Sequence, residues 1–323
     1  MNTLVTVQQT SIEPHYSAND FQVSEDALAQ IRNSKAKNSR VNYQCDFNHF
    51  SSWCIEQNRT ALPATPETIA TYIAHCVESL HNKPSTISRR LSGIRFAHLT
   101  NQFASPTEHP KIREQMEGIN RTLGTKQNKR AALTLDLIFL MLSKMDNSTL
   151  QGKRDKALIL FGLGSACRRS ELSALNVEDL SFTEEGLTVH IQSSKTDKTG
   201  QGAYIGIPNG RLKISDVVRD YLQAAGVSTG GLFRTINKGG KVGSRMSDKS
   251  IYNLVKKYAA LAGLDAAQFG AHSLRSGFIT EAYLSGASTE AIQATTRQVK
   301  SDTTIGYYRP LSVYKNNAGK NFL

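Results

Sequence analysis

Apolar positions in the first third of the chain recur at three- and four-residue intervals, the spacing of helices that bury one face. Ala27, Leu28 and Ile31 open the pattern after Ser24, and Val41, Tyr43, Phe47, Phe50, Trp53 and Cys54 continue it. Thr65-Pro66-Glu67-Thr68 has the form of a helix start, with Thr65 as N-cap and Pro66 in the first position. It leads into Ile69, Tyr72, Ile73, Cys76 and Leu80. Ile87, Leu91 and Ile94 form the inner stripe of a further helix, and Ile112, Met116 and Ile119 mark a short one after a loop at 101–110. About five helices and no strand are expected in this half. Residues 1–24 are polar and acidic without helical period and read as a loose tail.

The pattern breaks at residues 124–131, where Gly124-Thr125-Lys126-Gln127-Asn128-Lys129-Arg130 carries no apolar side chain. This is the expected linker, a basic one, between a helical domain at 25–123 and a second domain at 132–323. Helical structure reopens at Leu133-Thr134-Leu135-Asp136, and residues 156–164 form a nearly unbroken apolar run, as in a buried helix. Leu187-Thr188-Val189-His190-Ile191 alternates like a strand, and Ala203-Tyr204-Ile205-Gly206-Ile207-Pro208 reads as its partner, with the polar stretch 193–202 as hairpin tip. From Ser247 onward the chain is helical again. The predicted fold is mainly α: an all-helical first domain, then a mixed α+β domain of helices around one small antiparallel sheet.

Charge adds a partner to this outline. Lys and Arg number 39 against 27 Asp and Glu, a formal net charge of +12, which points to a polyanion. Residues 1–26 contain no Lys or Arg, so the excess lies downstream. Cys45, Cys54, Cys76 and Cys167 show neither C-x-x-C spacing nor zinc-finger histidines and read as reduced packing residues of a cytosolic protein. No basic-then-apolar leader and no membrane-length apolar run is present, so no membrane partner is expected. With no P-loop, no G-x-G-x-x-G and no internal repeat, no nucleotide cofactor is expected.

Two stretches of the first half suit DNA. One is the basic, hydroxyl-rich segment 33–40 with Lys35, Lys37 and Arg40; the other is the N-terminal part of the helix at 83–95, with Lys83, Ser85, Thr86, Ser88, Arg89, Arg90 and Arg95. Such a helix could lie in a major groove, although a solvated basic face would look the same.

Four segments of the second half carry candidate chemistry. In Ala166-Cys167-Arg168-Arg169-Ser170-Glu171-Leu172, at the end of the apolar helix, Arg168 needs an anionic partner, and Glu171 three residues on can supply it. Lys195 at the hairpin tip could serve a leaving oxygen as general acid. In Gly270-Ala271-His272-Ser273-Leu274-Arg275, His272 and Arg275 share one helical face near a helix N-terminus, a setting for phosphate. The fourth runs from Gln298 to Arg309 and contains the pair Tyr307-Tyr308. Each alone has a bland structural reading.

Taken in this order, Arg168, Lys195, His272-x-x-Arg275 and a late tyrosine resemble the tyrosine recombinase (phage integrase) family, over nearly the whole chain. The start, from Met1 to Val7, and the two-domain proportions most resemble its Cre-like phage and plasmid subgroup. The resemblance implies cleavage of duplex DNA without metal or ATP, through a covalent 3′-phosphotyrosyl intermediate. It implies Tyr307 as nucleophile, Arg168 and Arg275 on the non-bridging oxygens, and Lys195 as the acid for the leaving 5′-oxygen. His272 would take the tyrosine proton or hold the phosphate, and Glu171 would support Arg168. It also implies a helical DNA-binding first domain, a duplex site with inverted repeats, a homo-tetramer around two duplexes, and a C-terminal tail docked on the neighbouring subunit.

Two positions depart from the family. Nine residues before the tyrosine the family has His or Trp, and counting back from Tyr307 gives Gln298, whose amide can still donate. Counting from Tyr308 gives Val299, which cannot, so Tyr307 is preferred. Arg169 stands where an apolar residue is common, and the sequence offers no reason for it. The alternatives are a resolvase or integrase role that needs accessory proteins, a catalytically inactive DNA-binding protein that kept the fold, favoured by Gln298, and a type IB topoisomerase with the same chemistry but no specific site or tetramer.

Overall fold

The computed structural model describes residues 17, 22–33, 36–125, 130–192, 201–298 and 304–306. The chain divides into two compact units, Met1–Gln127 and Asn128–Leu323.

The regular structure described in the first unit is all helical: α1 (Glu25–Asn33), α2 (Lys37–Glu56), α3 (Pro66–Glu78), α4 (Pro84–Thr100) and α5 (Pro110–Leu123), with one 3-10 turn at Pro106–Glu108. Three of the five helices begin on proline, where the missing N–H has no intrahelical partner to lose. The Thr65 hydroxyl accepts from the Thr68 N–H at 3.2 Å, making the expected cap. The apolar stripes meet as read: Phe50, Trp53 and Cys54 of α2 pack with Ile69, Tyr72, Ile73 and Cys76 of α3, Ile87 and Ile94 of α4, and Ile112 of α5. Helices α2 and α4 come together at Gly93, where a Cβ would stand 2.9 Å from the Asp46 Cβ.

The second unit comprises α6 (Leu135–Leu142), α7 (Leu150–Gly164), α8 (Arg169–Ala174), β1 (Leu180–Phe182), β2 (Gly186–Ile191), β3 (Ala203–Pro208), α9 (Ile214–Ala225), β4 (Arg234–Ile236), β5 (Val242–Arg245), α10 (Asp248–Leu261), α11 (Ala271–Leu284) and α12 (Thr289–Thr296). Strands β1-β2-β3 form an antiparallel sheet in that order, with Val189 opposite Ile205. Leu187, Val189, Ile191, Ile205 and Ile207 face the core, which is the alternation seen in the sequence. A second sheet, the β4–β5 hairpin, was not expected; strands of three and four residues are too short to show a period. Arg130 and Ala131, read as the end of the linker, are bonded into this unit: the Ala131 N–H donates to the Gln268 carbonyl at 3.0 Å, and the Arg130 guanidinium to the Tyr252 hydroxyl at 3.2 Å.

Helix α7 is the axis of this unit. Residues 157–163 are buried along it, and α11 crosses it closely because Gly162 leaves room for Leu274. On its other side α11 lies against the chain at Leu133, so near that a Cβ on Gly277 would stand 2.0 Å from the Leu133 carbonyl oxygen. This packing brings the N-terminus of α11 to the C-terminal end of α7. Among the described residues no helix is long and apolar enough to cross a membrane.

Candidate active site

The C-terminal end of α7 leads into a tight turn. Ala166 adopts φ +47°, and the next two residues carry the chain into α8, with Arg168 at its N-cap. Glu171, in the first turn of α8, folds back on that start. The Arg168 N–H donates to Glu171 Oε2 at 2.7 Å, and the Arg168 guanidinium donates to Oε1 at 2.8 Å. This is the partner the sequence required of Arg168. Burial pulls the Glu171 carboxyl upward, but the Arg297 charge and the hydrogen bonds and charge of Arg168 outweigh it and hold the group below its ordinary value. Cys167 is fully buried, and desolvation pushes its thiol up to about 11, so it is a packing residue.

Helix α11 opens at the expected Gly270-Ala271 pair, with Gly270 as its N-cap, and presents His272 and Arg275 differently. His272 is exposed, while Arg275 is 2% exposed and runs inward. Its guanidinium donates to the Ala166 carbonyl at 2.7 Å and to the Thr296 carbonyl. Arg275 therefore ties the α7–α8 turn to the end of α12. His272 lies close enough to both arginines to feel them. Desolvation first, then the charges of Arg275 and Arg168, lower its imidazole below the ordinary value. Two arginines and a neutral imidazole from segments about 100 residues apart thus converge on one place.

The third wall is the end of α12. Thr296 is buried, Arg297 takes a left-handed conformation, and Gln298 follows. The Gln298 amide oxygen accepts from the Thr304 hydroxyl at 2.8 Å, and Thr304 is itself buried. Ile305 packs on Ile279 of α11 and Ile292 of α12. Arg297 was not among the expected residues. Its guanidinium donates to Glu171 Oε2 at 2.9 Å, and nothing in the sequence set it apart from the other arginines. Arg169, unexplained in the sequence, pairs with Asp248 at 2.9 Å and lies over the Tyr252 ring. Lys195, Tyr307, Tyr308 and the C-terminal tail lie outside the described residues.

In the first unit, α4 exposes Lys83, Ser85, Ser88, Arg89 and Arg95, with Thr86 and Arg90 half-buried. Three of its guanidiniums are held within the unit: Arg89 by Asp46, Arg95 by Glu108 at 2.7 Å, and Arg90 by the Tyr72 hydroxyl and His49 Nδ1, each at 2.9 Å. Arg40 lies half-buried on α2, Lys37 begins that helix, and Lys35 lies outside the described residues.

The sequence matches the phage integrase family over residues 131–312. The chain belongs to that family. It is 34% identical to an integrase/recombinase xerD homolog of Selenomonas ruminantium, over 93% of this chain and 89% of that protein. It is 25% identical to tyrosine recombinase XerC of Syntrophus aciditrophicus, over 87% and 90%. Among solved structures, the Tn1549 transposon integrase in complex with transposon right end DNA superposes with a TM-score of 0.58 at 15% identity, over 87% of this chain and 94% of the other, a likeness of fold. The chain is a tyrosine-type site-specific recombinase. These Xer-type relatives do not bear on the narrower Cre-like resemblance.

For a phage integrase family member the cluster makes chemical sense. The described residues offer guanidinium donors and a neutral imidazole at one helix N-terminus, a setting suited to a phosphodiester. Among them, no group of three or more His, Cys, Asp or Glu side chains could hold a metal ion.

Proposed function

We propose that this recombinase cleaves DNA by attack of the Tyr307 hydroxyl on a phosphodiester clamped by Arg168 and Arg275. The observation that supports this most is the convergence of Arg168, His272 and Arg275, with Arg168 held by Glu171 and Arg275 by two carbonyls. The Tyr307 oxygen bonds to phosphorus as the bond to the 5′-oxygen breaks. His272, neutral near pH 7, takes the tyrosine proton, and Lys195 gives one to the leaving 5′-oxygen. The two arginines stabilise charge that grows on the non-bridging oxygens in the transition state. The Gln298 amide adds a donor there, and Glu171 acts only by holding Arg168. The 3′-phosphotyrosyl bond keeps the energy of the broken linkage, so a 5′-hydroxyl can rejoin it without ATP.

The substrate is duplex DNA with an inverted-repeat site, bound by a homo-tetramer in the cytoplasm. Phosphate contacts supply affinity and a steep salt dependence. Sequence is read from α4 by Ser85, Thr86, Ser88, Arg89 and Arg95, with Lys83, Lys35, Lys37 and Arg40 on the backbone and Arg90 bracing the helix from within. A guanidinium has five N–H donors, so one carboxylate partner orients Arg89 or Arg95 without exhausting it.

Covalent trapping tests the chemistry. Nicked duplexes carrying the inverted repeats nearest the protein's own gene are incubated with wild type, Tyr307→Phe and Tyr308→Phe, and SDS-resistant adducts are scored. An adduct lost only in Tyr307→Phe is expected. Loss only in Tyr308→Phe would move the nucleophile by one residue, and salt-sensitive binding without any adduct would leave a DNA-binding protein alone.

A further inference from the structure

Arg297 is costly where it stands. Its backbone is left-handed (φ 57°, ψ 44°), a conformation glycine takes freely and a residue with a Cβ does not. Capping does not require an arginine there, because the bond that closes α12 runs from its backbone N–H to the Gln293 carbonyl. The side chain is nine-tenths buried, yet two of its donors, Nε and Nη1, are buried without a hydrogen-bond partner among the described residues. A buried guanidinium so incompletely satisfied is a poor way to stabilise a fold. Its single short polar contact points to another reason.

That contact is Glu171 Oε2, at 2.9 Å, the same oxygen that accepts the Arg168 N–H. The other carboxylate oxygen accepts from the Arg168 guanidinium. Glu171 is thus fixed at both oxygens, and among the described residues Arg297 supplies the one tie that does not come from Arg168 itself. The preceding residue, Thr296, gives its carbonyl to Arg275. Two consecutive residues at the end of α12 therefore reach the two arginines of the cluster, one directly and one through Glu171. Gln298 comes immediately after them.

We propose that Arg297 is a positioning residue for DNA cleavage: through Glu171 it sets Arg168 in register with Arg275 and couples both to the segment carrying Gln298. It does not touch the phosphate. The inference rests on the reading that Arg168 and Arg275 clamp the scissile phosphate. It accounts for an arginine in a backbone conformation suited to glycine, and it places Arg297 where its charge offsets that of Glu171.

The test uses the full chain and single-turnover cleavage of a nicked duplex carrying the inverted repeat next to the protein's gene, measured across pH. Arg297→Gly relieves the left-handed strain, which offsets part of the cost of leaving the buried Glu171 carboxylate one partner short, so a modest fall in Tm is expected. Its DNA affinity should be unchanged and its cleavage rate should fall about tenfold to a hundredfold, the range for a misplaced catalytic group. Below the fall set by His272, a steeper acid limb from Glu171 should begin at higher pH than in wild type, because Glu171 without the Arg297 charge protonates more readily. Arg297→Lys keeps a charge at the site and should recover part of the rate and of the pH profile, a rescue that packing alone would not give. Arg168→Ala separates the two readings. If it cleaves at the wild-type rate, the clamp reading fails and the positioning role fails with it. If Arg168→Ala is inactive while Arg297→Gly keeps the wild-type rate and pH profile, the positioning role alone is overturned. Equal losses in the Gly and Lys variants with an unmoved acid limb would also overturn it. Should Arg297→Gly not fold, Arg297→Asn, which also suits the left-handed region and carries no charge, takes its place, with the same supporting and overturning results.

Discussion

Glu171→Gln tests how much of the second unit depends on one buried carboxylate. Glu171 is 4% exposed and accepts three hydrogen bonds, from the Arg168 N–H at 2.7 Å, the Arg168 guanidinium at 2.8 Å and the Arg297 guanidinium at 2.9 Å. Glutamine has the same shape but only one acceptor oxygen, so its NH2 must face a donor on one side. Removing one partner of a buried pair costs about 3–5 kcal/mol, and an unmet buried donor about 1–3 kcal/mol. The Arg168 side chain is 20% exposed and can regain some water, which places the expected loss near 3 kcal/mol. For a unit of roughly 200 residues, that lowers Tm by about 6–12 °C.

The pH dependence supplies a second signature. The folded carboxyl is held below its ordinary value of 4.5, so its stabilisation is complete above that value and disappears as pH falls through the lowered one. The variant cannot titrate there, so its gap from wild type should narrow as the pH is lowered below 4.5. Circular dichroism melts of the full chain at neutral and acid pH would measure both effects. A Tm within about 2 °C of wild type at neutral pH, less than 1 kcal/mol, would refute the argument, and so would a gap that does not narrow in acid.

Two other expectations follow from the geometry. His272 has an imidazole below its ordinary value of 6.5, so it is neutral near pH 7 and gains its proton only at lower pH; single-turnover cleavage should be flat from pH 7 to 8 and fall below 6.5, whereas a fall beginning above pH 7 would contradict the lowered value. Gly277→Ala would drive a Cβ to 2.0 Å from the Leu133 carbonyl oxygen, a backbone atom that cannot turn aside; a destabilisation of about 3 kcal/mol or more is expected in urea melts, and a loss below about 1 kcal/mol would mean that α11 shifts freely.

Much of the fold could be read from the pattern of residues. Thr65 and Pro66 encode the start of α3 through local hydrogen bonding and a fixed φ, and the run at 157–163 could only be buried. The β2–β3 alternation needed only the period of a strand. Helix α9 carries the same kind of signal in Ile214, Val218, Tyr221 and Leu222, whereas β4 and β5 are too short to carry one. The arginine at 168 with its glutamate at 171, and the His272-x-x-Arg275 pair, were legible because their members stand within one helical turn of each other.

What only the tertiary structure decided is where each guanidinium goes. Arg275 looked like the surface neighbour of His272 and instead runs inward to carbonyls of Ala166 and Thr296. Arg89, Arg90 and Arg95 looked equivalent on one helix, yet each is held by a different partner. Arg297 meets a carboxylate 126 residues away. Helical and strand periods are short-range and survive in one dimension. The partner of a long charged side chain depends on which elements the core brings together, and for Arg275 the close crossing of α7 and α11 set that.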